Sequence, residues 1–132
     1  MTEIAPPDVK RFEIAALSSI VLSIPTVLLA ELFREADATN RLTLNEFLFQ
    51  LCFAGGLALL VLSASRQRNN LARWAFVALA TASFVLTLWK PSLITGDGIV
   101  PGALYVVQTL LDIAACFFAL TPSSRAWFEG RK

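Results

Sequence analysis

Asp112 lies inside an apolar run, eleven positions after Pro101 and nine before Thr121. At a helical rise of about 1.5 Å per residue, its carboxyl falls near the middle of a hydrocarbon layer about 30 Å thick. An aspartate at that depth costs about 2.5–3.5 kcal/mol on insertion scales, so its side chain is expected to face protein or water. Three uses follow from carboxyl chemistry. Protonated, it donates one hydrogen bond and accepts others, joining helices as Gln108 one turn away can do. As a protonatable group it can be the proton or cation site of a carrier. It can also meet a polar group of a partner subunit. Ser23, Thr81, Ser83 and the Gly55-Gly56 notch are its expected neighbours at that depth, and no Lys or Arg lies at the same level.

Other chemistry finds little support. The chain has no histidine, which removes the commonest general base and the commonest metal and haem ligand. Phosphate-cradling, zinc-protease and nucleophile-elbow motifs are absent, and the serines lack a histidine base. The reading is therefore of a protein that is not an enzyme and needs no metal or cofactor. Cys52 and Cys116 fall in apolar stretches in opposite halves of a bilayer, so both are expected as small packed side chains without a mutual disulfide. A net charge of +1 and the lack of a basic stripe give no support for a nucleic-acid partner.

The elements that must hold Asp112 are apolar helices. Of 132 residues, 56% are hydrophobic, and the mean hydropathy is +0.65, too much apolar surface for so small a chain to hide in water. Four stretches, 12–33, 44–65, 71–89 and 102–120, are long enough to span a bilayer. Before them, Pro6 and Pro7 suit a first helical turn. Pro25 is expected to kink the first span, with Ser23 and Thr26 helping to satisfy the freed carbonyl. Glu13 and Glu31, at its two ends, are expected to reach water.

Thr43-Leu44-Asn45-Glu46 reads as a capping box opening the second span. Residues 66–70 are a tight turn between antiparallel neighbours. Trp74 and Trp89 bracket the third span as interfacial anchors. Residues 91–101, with Gly96, Asp97 and Gly98, have the composition of a surface connection. After the fourth span, Thr121-Pro122 starts a short interfacial tail helix, about 123–129, ended by Gly130. Ala36-Asp37-Ala38 resembles a signal-cleavage site. The apolar run before it is longer than a signal core, and charges from Glu31 to Asp37 intervene, so the first span is expected to stay.

Eight of the eleven basic residues lie before the first span, around residues 66–73 or in the tail, which puts both termini and the middle loop in the cytoplasm. The opposite face collects Glu31, Glu35, Asp37 and Glu46. Because lipid offers no hydrophobic drive between helices, small residues should line the packed faces. Ser19, with Ala16, Ser23, Thr26 and Ala30, supplies such a face on the first span. Gly55 and Gly56, with Cys52, Leu59 and Ser63, do so on the second. The third offers Ala75, Ala78 and Ala82 or, turned slightly, Ala80, Ser83 and Thr87. Ala115, with Tyr105, Gln108, Asp112, Cys116 and Ala119, lies on the most polar stripe, on the fourth. The expected fold is an all-α, integral membrane, antiparallel four-helix bundle with up-down-up-down order and a single domain.

Two segments carry a resemblance: Arg66-Gln67-Arg68-Asn69-Asn70-Leu71-Ala72-Arg73-Trp74, and Leu120-Thr121-Pro122-Ser123-Ser124-Arg125-Ala126-Trp127-Phe128. Together with the span count they resemble small, uncharacterised four-span proteins of bacterial inner membranes. The resemblance implies the same fold, cytoplasmic ends and an inner-membrane address, and brings no activity with it. Both segments fall on the cytoplasmic side, where Arg66, Arg68, Arg73, Arg125 and Trp127 are expected to meet anionic lipid or a partner. The expected role is an accessory or assembly subunit of a membrane complex, or a homo-oligomer, in contact with the bilayer and a membrane-protein partner. The alternatives are a small proton-coupled carrier or channel using Asp112, and a lipid-binding membrane protein.

Overall fold

The computed structural model describes residues 4–33, 43–95 and 98–130. These form six helices: α1 (Pro7–Phe33), α2 (Leu44–Gln67), α3 (Asn70–Trp89), α4 (Ser92–Thr95), α5 (Ile99–Leu120) and α6 (Pro122–Phe128). Among the described residues there is no strand. α1, α2, α3 and α5 are each long and apolar enough to cross a membrane. The segment with Arg34, Ala36-Asp37-Ala38 and Arg41, the pair Gly96-Asp97, and Arg131 and Lys132 lie outside the described residues.

Local signals set the helix ends. Pro7 opens α1, where its missing N–H costs nothing. The capping box at α2 is complete: the Thr43 hydroxyl accepts from the Glu46 N–H at 3.3 Å, and the Thr43 N–H donates to Glu46 Oε2 at 2.7 Å. Arg68, at φ 54°, turns the chain out of α2, and Asn69 caps α3 by accepting from the Ala72 N–H at 3.1 Å. Thr121 caps α6 in the same way through Ser124. Two helices start earlier than expected. α1 takes in residues 7–11, which dock on α6: Asp8 accepts from the Ser123 hydroxyl and pairs with Arg11 at 3.5 Å. α5 begins at Ile99, with Pro101 still in its first turn. The connection before it, expected as a loop, contains α4. Gly102 makes that corner possible, because a Cβ there would meet the Ile94 carbonyl oxygen at 2.2 Å.

Around the bundle the long helices follow the order α1, α2, α3, α5, and α5 returns to pack along α1 more extensively than any other pair. Cross-helix contacts give the direction. Arg11 lies over the Phe118 ring and Ser19 meets Gln108 across α1 and α5, and Thr87 meets Tyr105 while Ala80 and Thr81 share a cavity with Ile113 and Cys116 across α3 and α5, so these neighbours run antiparallel. The fold is the expected all-α four-helix bundle.

The apolar core fills only one end, where α2 turns into α3 and α6 folds under. Phe12 is its centre, with the Phe76 and Phe128 rings edge-on at 5.4 and 6.1 Å. Val61, Ala64, Ala115 and Ala119 are fully buried beside it.

The expected inward face of α2 is corrected. Cys52, Gly55, Gly56 and Leu59 point outward, and a Cβ on either glycine would meet nothing within 4 Å. α2 instead turns Ala54, Leu57, Ala58, Val61 and Ala64 inward. This helix is apolar on every side, so periodicity could not choose its buried face. On α1 the expected face holds: Ala16, Ser19 and Thr26 are buried. On α3 the turned alternative holds in part: Thr87 is buried and Ala80 half-buried, while Ser83 is exposed, as are Ala78 and Ala82.

Ala115→Leu should destabilise the bundle by about 1–3 kcal/mol, the usual cost of forcing methylenes into a filled core. Gly55→Leu should leave stability unchanged within about 0.5 kcal/mol, as surface substitutions do. Unfolding by sodium dodecyl sulfate in mixed micelles measures both.

Candidate functional site

Beyond the level of Ser19 and Phe76 the four long helices stop meeting at the axis, and a cavity of about 430 Å³ takes the place of packed side chains. α5 brings Tyr105, Gln108 and Asp112 to it at positions i, i+3 and i+7, one face of a helix. α1 contributes Ser19, Ser23 and Thr26 by the same spacing. α3 adds Ala80 and Ser83, and α2 adds Gln50 with the parallel rings of Phe49 and Phe53, 6.4 Å apart.

Most hydroxyls here give their protons to the backbone. Ser23 donates to the Ile20 carbonyl at 2.6 Å and Thr26 to the Leu22 carbonyl at 2.7 Å, on either side of the Val21 carbonyl that Pro25 leaves without its N–H donor. Ser19 donates across to the Gln108 carbonyl at 3.4 Å, within reach of the Asp112 carboxyl. These oxygens keep lone pairs, so the cavity is rich in acceptors. Among the described residues Asp112 is its one ionisable carboxyl, and no Lys or Arg lines it.

A second, smaller cavity of about 130 Å³ lies between α3 and α5, lined by Thr81, Phe84, Thr109, Ile113 and Cys116. Ala80, Ser83 and Asp112 line both cavities. The α3–α5 seam is sparsely packed in its middle and tied at its far end by a 2.7 Å hydrogen bond between the Thr87 and Tyr105 hydroxyls.

Of the polar residues expected around Asp112, the structure brings Gln108, Ser23 and Ser83 into the main cavity and Thr81 into the smaller one. Ser19 and Ala115 are buried as expected of packing residues. Gly55 and Gly56 are not part of the site. Gln50 and Thr87 went unread as site residues. An amide within an apolar span was signal enough for Gln50, whereas Thr87 is explained only by its partner on another helix.

The basic end is largely occupied with the chain itself. Arg66 donates to Glu13 Oε1 at 3.1 Å, so Glu13 is paired and not simply solvated. The Arg68 guanidinium stacks 3.9 Å over the Trp127 ring, whose Nε1–H donates to the Ser65 carbonyl at 3.1 Å. Arg73, expected to meet lipid or a partner, is only 1% exposed, enclosed by the Trp74 and Phe128 rings at 5.0 and 5.1 Å. It lies in the first turn of α3, which α6 covers. Arg125 remains exposed. Among the described residues no three His, Cys, Asp or Glu side chains cluster as metal ligands.

The chain matches no family model, no curated protein and no solved structure. Its four span-length apolar helices make it a multi-pass membrane protein.

Thr87→Val and Tyr105→Phe should each loosen the α3–α5 seam. A double-mutant cycle in mixed micelles is expected to give a coupling of about 0.6 kcal/mol, the average for hydrogen bonds between membrane helices, with about 1.7 kcal/mol as the upper end.

Proposed function

We propose that this chain is a non-enzymatic membrane protein that binds a small cation in the interhelical cavity, as a carrier or channel in which Asp112 exchanges a proton for that cation. The observation that carries the reading is the cavity of about 430 Å³ with Asp112 as its single ionisable carboxyl. The Asp112 carboxyl has the Ser19 hydroxyl of α1 within reach and also borders both cavities, more open surface than a carboxyl that only joins two helices requires. A volume of that size is typical of small-molecule sites. The exchange conserves charge: as the cation arrives on the carboxylate, the proton leaves, and the cavity holds no unpaired charge at either stage. We read the membrane as a bacterial inner membrane from the resemblance carried by residues 66–74 and 120–128, with both termini cytoplasmic on the strength of the Lys and Arg asymmetry. The cavity then lies in the outer half of the bilayer.

A second reading draws on α2. Its outward Gly55 and Gly56 leave a shallow surface on which another membrane helix can approach closely, as an accessory subunit or a second copy would require. The two readings are compatible, since the α2 face lies outside the cavity.

Proteoliposomes loaded with a pH-sensitive dye test the first reading. Addition of a panel of inorganic and organic cations should move protons in the wild type for at least one of them, and Asp112→Asn should abolish the response. Equal responses in wild type and variant, or no response to any cation, contradict it.

A further inference from the structure

Resting on the cation-binding reading of the Asp112 cavity, we propose that its ligand is an apolar organic cation dissolved in the bilayer, which reaches Asp112 sideways through the fissure between α3 and α5. Two features of the cavity point to this class. Its wall is mainly apolar, with the Phe76 and Tyr105 rings and the largely exposed Phe49 and Phe53 rings of α2 among its lining, so it suits a molecule whose charge is small relative to its hydrocarbon body. Ring faces attract cations and repel anions, and no basic side chain among the described residues lines the cavity to hold an anion.

The route follows from the shared wall. The smaller cavity is rimmed by Phe84 and Ile113, which are 38% and 46% exposed on the outer surface of two membrane-length helices, where acyl chains lie. Its inner wall is Ala80, Ser83 and Asp112, which also line the main cavity. Where the two cavities meet, the α3 side chains beside Asp112 are the small Ala80 and Ser83. One end of the fissure is fastened by the Thr87–Tyr105 bond, and at the other α3 is held by Phe76 against Phe12 of α1, on which Phe128 of α6 also packs. The middle of the seam can part while both ends hold.

The full-length protein in nanodiscs, with empty nanodiscs as reference, provides the test. Tritiated tetraphenylphosphonium should bind saturably, and tetraphenylborate, matched in size and opposite in charge, should not compete. Asp112→Asn should weaken binding about tenfold or more, as removal of one partner of a desolvated charge pair does. For the route, dicyclohexylcarbodiimide, which partitions into lipid, should form an N-acylurea on Asp112 detectable by mass spectrometry, faster than a water-soluble carbodiimide does. Ser83→Trp, or Ala80→Leu where the first variant does not fold, should slow that labelling.

Equal labelling by both reagents, or unchanged labelling in the wall variants, overturns the lateral route. Absent tetraphenylphosphonium binding, or equal binding of tetraphenylborate, overturns the ligand class. If proton release by another cation still depends on Asp112 in those cases, this inference fails while the cation-binding reading stands. If Asp112→Asn changes neither binding nor proton release, both fail.

Discussion

The close approach of α1 to α5 sets the geometry of everything above it. In lipid, two helices gain nothing by hiding apolar surface from each other, so they must be held by van der Waals contact and by a few polar links. Ala15, Ala16 and Ser19 on α1 and Ala115 and Ala119 on α5 are buried and small, which lets the two backbones run near each other. Ser19 then reaches the Gln108 carbonyl, and the same register brings Asp112 against α1 instead of against lipid. α2 and α3 complete the ring without filling it. The bundle is solid at one end and hollow at the other, and the carboxyl lies where the two meet.

The solid end is reinforced by cations on aromatic rings. Arg68 lies over Trp127, and Arg73 lies between Trp74 and Phe128, where a guanidinium can be dehydrated at lower cost than an ammonium. The Nε and Nη1 atoms of Arg73 have no hydrogen-bond partner among the described residues, so the ring contacts and the charge of Glu129 offset its burial. α6 is thereby part of the bundle, closing its base through the Trp127 link to Ser65 and the Ser123 link to Asp8. Positive charge near this end gives an orientation signal in the sequence, and the same residues close the base in the fold.

Features with a local cause were legible in the sequence. The Thr43 capping box, the turn at residues 66–70, the proline start of α1 and the Thr121 start of α6 each depend on residues within a few positions of one another. The polar stripe of α5 was legible for a different reason: polar groups in an apolar span are few, and their spacing selects one face. The inward face of α2 was marked only by Gln50, in line with Ala54 and Leu57, because the rest of the span is apolar and small residues alone do not say which neighbour they serve. α4 depends on the approach of Gly102 to Ile94, and the cavity on the spacing between four helices. Neither is written in any one segment.

What joins these observations is a carboxyl that meets the Ser19 hydroxyl on one side and borders two cavities on the other. Infrared difference spectroscopy on the protein in nanodiscs observes that group directly. Adding an organic cation should remove the C=O band of one protonated aspartate and raise carboxylate bands, shifted by carbon-13 labelling of aspartate and missing from Asp112→Asn. A difference spectrum without such bands, or one identical in the variant, would contradict the account, because Asp112 would then be sealed among its neighbours and out of reach of any ligand.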